Sequence, residues 1–277
     1  MVPTALITGA STGIGRATVL RLAASGWTVL AGVRKTADGE ALTDAGGTRV
    51  LPVELDVTDA AQIARAAERV GEIAPGGLDA LVNNAGSVVV GPLELLSLDD
   101  LRRQFDVNFF AHVAVTQALI PALRRARGRI VLISSVGGLV TTPYMGPYHA
   151  SKYALEAAGN SLRMELARSH VQVALVEPGS VATPIWEKHR DQVDFDVPEE
   201  LREQYGHVPA AMAKALQNTA RRGIPPERVA QTIERALTSR RMRARYLVGR
   251  DAHVMVWASR LLPDLVFDRV VRRAVGV

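Results

Sequence analysis

Short apolar runs alternate with helical patterns along the first two thirds of the chain. Thr4-Ala-Leu-Ile, Thr28-Val-Leu-Ala, Val50 to Leu55, Leu78 to Val82, Arg129 to Ile133 and Val171 to Val176 are near-continuous apolar runs of strand length. Between them, Gly15 to Ser25 places Val19, Leu22 and Ala23 at helical spacing, and Asp59 to Val70 reads as a helix capped by Asp59 or Thr58. Leu98 to Ala126 holds one or two helices, and Pro147 to Ser169 holds another. Runs without polar alternation suit strands covered on both faces. Alternating strands and helices build right-handed βαβ units. The pattern therefore predicts an α/β protein with a doubly wound parallel sheet and helices on both faces.

The rhythm breaks between Pro184 and Pro226, where the chain is polar and charged and carries Pro198 and Pro209. A small helical substrate lid is expected over 184–226. Pro226 to Ser239 returns to a helical pattern, and Ala244 to Gly249 reads as a last strand. The extension 250–277 is an apolar–basic helical pattern broken at Pro263. It is expected to pack on its own domain; an oligomer interface or peripheral contact with a membrane surface through Arg269, Arg272 and Arg273 are the alternatives. No repeat, linker or low-complexity tract divides the sequence, so 1–277 is expected to be a single domain.

Composition changes this picture little. The chain is 48% hydrophobic and 22% charged, as globular proteins are. With no cysteine, a disulfide, a thiolate nucleophile and a zinc–thiolate site are excluded. No metal site is expected. The start shows no basic segment followed by a separate apolar one, and no apolar stretch reaches the length of a membrane span. A cytoplasmic location, with no membrane span, is the expectation. The net charge of +5 comes with only 5% aromatics, so the basic excess reads as solvated surface and not as a nucleic-acid interface.

Chemistry enters at Thr8-Gly9-Ala10-Ser11-Thr12-Gly13-Ile14-Gly15, which follows the first strand and opens the first helix. Glycines there allow a tight turn and close backbone approach, and the helix N-terminus offers free N–H groups to a phosphate. Tyr148 and Lys152 stand four apart on one helix and share a face. An ammonium beside a phenol, like the positive charge of an oxidised nicotinamide, favours the phenolate and suits the pair to acid–base work. Tyr144 and Tyr153 lack a lysine four residues on.

These motifs resemble the classical short-chain dehydrogenase/reductase family. The glycine spacing, Asn83-Asn84-Ala85-Gly86, Asn108, Ser135, Tyr148 with Lys152, and Pro178-Gly179 occur in family order over roughly residues 4 to 184. The resemblance implies a Rossmann-like fold with Ser135, Tyr148, Lys152 and Asn108 as the catalytic set. Ser135, thirteen positions before the tyrosine, would hydrogen-bond the substrate oxygen, and Asn108 would hold a relay water beside the lysine. Nicotinamide dinucleotide contacts would fall on Gly9, Ser11, Thr12, Gly13, Ile14, Gly15, Tyr148 and Lys152. Asp56 and Val57 match the pair beside the adenine, and Asn84, Ala85 and Gly86 the ribose wall. Pro178, Gly179, Val181 and Thr183 match the carboxamide side.

The segment after the second strand, Ala31-Gly32-Val33-Arg34-Lys35, sets the cofactor preference. Gly32 stands where an acid would accept the ribose 2′-OH and repel a 2′-phosphate. Arg34 or Lys35 can pair with that phosphate. NADP(H) is expected, with NAD(H) as the alternative. Pro226-Glu-Arg-Val-Ala, Arg245-Tyr246 and the basic–apolar tail resemble the 17β-hydroxysteroid and retinol dehydrogenase branch. The expected substrate is thus a ketone or secondary alcohol of a lipophilic small molecule, steroid-, retinoid- or polyketide-like, and the expected assembly is a homodimer or homotetramer. Two competing readings are a 3-oxoacyl-thioester reductase, disfavoured by the long insertion after Thr183, and a non-catalytic dinucleotide-sensing protein, disfavoured by the presence of Ser135, Tyr148 and Lys152 together.

Overall fold

A computed structural model of the chain describes residues 2–183 and 197–275. Seven strands form one sheet, all paired in parallel, in the order β3-β2-β1-β4-β5-β6-β7. They are β1 (Thr4–Ile7), β2 (Thr28–Val33), β3 (Val50–Glu54), β4 (Ala80–Asn83), β5 (Arg129–Ile133), β6 (Gln172–Pro178) and β7 (Arg245–Val248). The helices between them are α1 (Gly13–Ala24), α2 (Thr36–Gly46), α3 (Ala60–Ile73), α4 (Leu98–Phe105), α5 (Ala111–Ala126) and α6 (Gly146–Glu165). After β6 come the short α7 (Arg202–Tyr205), then α8 (Val208–Arg222), α9 (Pro226–Thr238) before β7, and α10 (Arg250–Leu261) with α11 (Asp264–Val275) at the end. This is the doubly wound Rossmann-like sheet expected from the sequence.

The apolar runs lack alternation because both faces of the sheet are buried, each against a different core. On β1, Ala5 and Ile7 join a cluster with Val19 and Leu22 of α1 and Val229 and Ile233 of α9. Leu6 points the other way, into a cluster with Ile63 and Val70 of α3, Leu119 and Leu123 of α5 and Leu155 of α6. The same division separates Val131 and Ile133 from Ile130 and Leu132 on β5. Strand order reverses between β1 and β4, and this leaves a crevice at their carboxyl ends where no crossover covers the sheet.

Several local expectations are sharpened. Asp59, not Thr58, caps α3, accepting from the N–H groups of Ala61 and Gln62. The 98–126 stretch is two helices joined by a π-helical turn, Asp106–Phe110. Pro209 sits in the first turn of α8, where its missing N–H costs nothing, so it starts a helix and does not interrupt one. Pro263 does break the tail, between α10 and α11. The sequence pattern passed over α2, whose Gly39 and Gly46 weaken helix propensity. Gly39 is there for packing: a Cβ would stand 2.7 Å from Pro52 on β3. Part of the expected lid, 184–196, lies outside the described residues; the remainder of the segment contains α7 and α8.

The β1–α1 turn is fixed by two glycines. Gly9 has φ +61°, and a Cβ on it would meet Ala85 Cα at 2.8 Å; one on Gly15 would meet the Gly9 carbonyl oxygen at 2.2 Å. Overpacking against backbone costs roughly 1–3 kcal/mol or more, because no side chain can yield. Gly15→Ala is therefore expected to lower unfolding free energy by at least roughly 2 kcal/mol in urea denaturation. Wild-type stability would remove this account of the turn.

Candidate active site

The crevice between β1 and β4 opens into a cavity of about 720 Å³ at the carboxyl edge of the sheet. Its floor is the β1–α1 turn. Thr8 Oγ1 accepts from the N–H of both Asn84 (2.9 Å) and Ala85 (3.0 Å), and Asn84 Nδ2 donates back to the carbonyls of Thr8 (2.9 Å) and Gly9 (3.0 Å). The ends of β1 and β4 are thus sewn together. Thr12, the N-cap of α1, makes no side-chain cap bond, and the first turn holds no acidic residue. The helix start consequently presents N–H donors and positive dipole charge to the cavity, where Ser11, Thr12, Gly13 and Ile14 line the wall. This cradle fits a phosphate group.

Lys152 and Tyr148 reach the same cavity from α6. The Lys152 Nζ is buried; it donates to the Ile133 carbonyl at 2.9 Å and lies 5.9 Å from the centre of the Tyr148 ring. Burial draws the ammonium down to about 8, partly countered by the negative charge of Glu156 one turn further along α6. Burial also pushes the Tyr148 phenol up, and a hydrogen bond with the Ser135 hydroxyl works in the opposite direction. For the phenol burial is the larger effect, which leaves the second charge named above, that of an oxidised nicotinamide, to favour the phenolate.

Ser135 ends β5. Its Oγ accepts from the Gly137 N–H at 3.0 Å, holding the 3₁₀ turn Val136–Gly138 under Tyr148. His149, buried and held neutral by burial, links the same turn to the next loop, through Nδ1 to the Gly137 carbonyl and Nε2 to Thr142 Oγ1, both at 3.0 Å. Nothing in the sequence pattern marked His149. Its neighbour Tyr148 was the informative residue, and Tyr153 is 43% exposed on the opposite side of the helix.

Of the other residues singled out, Arg34, Asp56, Val57, Asn84, Ala85, Gly86, Pro178, Gly179, Val181 and Thr183 line the cavity with Gly9. Gly15, Lys35 and Asn108 do not. Gly15 is covered by Gly9, and Lys35 is the exposed N-cap of α2, outside the cavity wall that Arg34 joins. Asn108 is fully buried behind that wall. Its Oδ1 accepts from Ser87 N at 2.8 Å, and its Nδ2 donates to the Ser87 carbonyl at 3.0 Å and to Ser151 Oγ at 3.2 Å. The π-helical turn supplies the extra residue that turns this asparagine inward. The sequence pattern also missed His112, whose Nε2 donates to the Ala85 carbonyl at 2.6 Å and whose affinity for a second proton falls to about 3 through burial and the nearby Lys152 charge.

A buried charge cluster stands behind Lys152. Glu156 of α6 and Glu177 of β6 both ion-pair with the Arg245 guanidinium of β7. Two carboxylates share one cation, so burial and mutual repulsion push Glu177 up to about 7, and burial raises Glu156 as well. The far end of the cavity is apolar: Met212 and Leu216 of α8 face Met255 and Ala258 of α10 and Phe267 and Val271 of α11. Among the described residues no group of histidine, aspartate and glutamate side chains could hold a metal ion.

Residues 3–194 match the short chain dehydrogenase family. The chain is 34% identical over 276 residues to an NADPH-dependent 3-dehydrocapnine reductase of Ornithobacterium rhinotracheale, covering 96% of this chain and 95% of the relative. It is 36% identical over 278 residues to retinol dehydrogenase 5 of Mus musculus, covering 96% and 86%. A short chain dehydrogenase of Burkholderia cenocepacia in complex with NADP superposes with a TM-score of 0.74 at 27% identity, over 100% of this chain and 98% of that one. Another from Burkholderia phymatum, in complex with NAD, reaches 0.79 at 29% identity, over 93% and 91%.

Arg245→Met would leave two buried carboxylates without their cation. Removing one partner of a buried pair costs roughly 3–5 kcal/mol; with Arg245 38% exposed, about 2 kcal/mol is expected near pH 8. Acids held above their ordinary range bind more protons folded than unfolded, so the deficit should shrink as pH falls from 8 to 5. Urea denaturation at the two pH values checks this; a deficit independent of pH would show that the cluster is not ionised at neutral pH. Fold, crevice and sequence together place the chain in the short chain dehydrogenase family, oxidoreductases that act on alcohol and ketone groups.

Proposed function

We propose that the protein is an NADP(H)-dependent oxidoreductase of a ketone or secondary alcohol in a lipophilic small molecule. The observation that carries this reading is the continuity of the cavity. It runs from a phosphate cradle and Arg34, past Ser135, Tyr148 and Lys152, to an apolar end formed by α8, α10 and α11. When bound, the nicotinamide dinucleotide supplies or accepts the hydride. Gly13 and Ile14 at the start of α1 would hold its pyrophosphate, Asp56 and Val57 its adenine edge, and Pro178 to Thr183 its carboxamide side. Arg34 has no ion pair among the described residues, and Gly32 puts no carboxylate beside it, which favours a 2′-phosphate over a bare ribose. The NADPH dependence of the Ornithobacterium relative supports the same preference.

The proton is handled by the chain. In reduction Tyr148 gives its phenolic proton to the carbonyl oxygen; in oxidation it takes the alcohol proton. Ser135 donates to that oxygen as charge develops on it, which lowers the barrier specifically in the transition state. The Lys152 ammonium stabilises the phenolate left behind; Asn108, its side chain spent on Ser87 and Ser151, supports the wall from behind and does not offer that side chain to a relay water. α8, within the segment that follows β6, contributes Met212 and Leu216 to the apolar end that would take the substrate.

Tyr148→Phe should lower turnover roughly 10²–10⁴-fold with NADPH binding nearly unchanged, as expected for loss of a general acid. Turnover that survives would take the proton away from Tyr148. The cofactor preference is a separate question. Arg34→Ala should raise the KM for NADPH roughly tenfold or more, the worth of a charge-assisted hydrogen bond, and leave the KM for NADH nearly unmoved. Equal effects on both would reject the phosphate contact.

A further inference from the structure

The two C-terminal helices are amphipathic in an unusual sense. Ala252 and Val256 of α10 and Val271 of α11 are buried, as an inward face should be. The outward faces are apolar too. Val254, Trp257 and Leu261, spaced three and four apart along α10, are 67%, 63% and 72% exposed, and Leu265 on α11 is 81% exposed. With Val266 and Val270 they make up half of the twelve large hydrophobic side chains exposed among the described residues, gathered on one short segment. Scattered singly they would need no explanation; gathered, they mark a contact surface.

Charge identifies what covers that surface. Arg250, Arg260, Arg269, Arg272 and Arg273 are interleaved with the apolar side chains, all exposed and without an ion pair among the described residues. Against them stand the exposed Asp264 and Asp268. Asp251 is already engaged, accepting from the Ser180 N–H at 2.7 Å. A second copy of this chain bound through the same patch by a two-fold axis would bring the same positive excess together on both sides, with only Asp264 and Asp268 to offset five arginines in each copy. An anionic lipid headgroup layer satisfies both features at once: it takes apolar side chains to shallow depth and pairs with the guanidinium groups.

Position adds a third argument. Val254 and Val270 lie on the exposed patch and also line the cavity, so the patch is continuous with its apolar end. We propose that α10 and α11 dock the protein on an anionic phospholipid surface, with the mouth of the cavity facing the lipid. No helix among the described residues is long and apolar enough to cross a membrane, so the contact is peripheral. The proposal concerns where the protein rests; it stands whether or not the reaction assigned above is the right one.

The test is sedimentation of the full chain with phosphatidylglycerol-containing vesicles and with pure phosphatidylcholine vesicles, at low and high salt. Binding is expected on the anionic vesicles and should weaken with salt. Trp257 emission should shift to the blue, a change absent in Trp257→Phe. The double variant Leu261→Glu/Leu265→Glu, which touches no cavity-lining residue, should reduce partitioning at least about tenfold with its melting temperature and NADPH binding kept. Failure of the wild-type chain to bind, equal binding by the variant, or a wild-type dimer that the variant dissociates without any vesicle binding would each overturn the proposal. Loss of NADPH binding in the wild-type chain would instead strike the functional reading and leave this one standing.

Discussion

Everything chemical in this molecule depends on keeping one ammonium charged where there is almost no water. Lys152 is buried at the end of the sheet, and its natural response to that place is to lose its proton more readily. Two features resist. The Ile133 carbonyl, freed at the end of β5, accepts from Nζ at 2.9 Å, and Glu156 lies one helical turn away with its charge unspent on α6 itself. Glu156 in turn is shared with Arg245 and Glu177 from the last two strands of the sheet. The edge of the fold that lies furthest from the phosphate cradle therefore takes part in the electrostatics of the site. The last strand, only four residues long, earns its place in the sheet partly through this arginine.

The phenol and the ammonium respond oppositely to burial. Burial makes the tyrosine a poorer acid and the lysine a better one, which moves their proton affinities apart and leaves the phenol the more tightly protonated of the two. The positive charge of a bound oxidised nicotinamide would favour the phenolate.

How much of this could be read from the sequence follows from where the constraint resides. Residues that act through type and spacing were legible: the tight turn at Gly9, the pair Tyr148 and Lys152, the strand-end Ser135. The parallel sheet was legible because double-sided burial leaves unbroken apolar runs. Residues that act through three-dimensional placement were not. Lys35 and Arg34 are equivalent in a string, yet only Arg34 lines the cavity, while Lys35, one residue on, stands at the N-cap of α2. Gly15 looks like a phosphate contact and serves the packing of Gly9. His149, His112 and Glu177 carry no motif, and Arg245, quoted only as part of a branch resemblance, gave no sign of its two carboxylate partners. Only the sheet order brings β7 beside β6 and so completes the buried charge cluster.

The same placement argument bears on the C-terminal extension. Gly179 and Gly249 leave room for Asp251: a Cβ on either would stand 2.5 Å from a carboxylate oxygen of that side chain, and Gly249 has φ +109° besides. Asp251 accepts from Ser180 N–H, so the first turn of α10 is locked onto the loop that follows β6. That loop lines the cavity from Pro178 to Thr183, and α10 and α11 line its apolar end. The extension is consequently no appendage. One carboxylate ties the helix at the apolar end of the cavity to the loop that lines it after β6. A surface that holds the outer faces of α10 and α11 would therefore hold helix and loop in register.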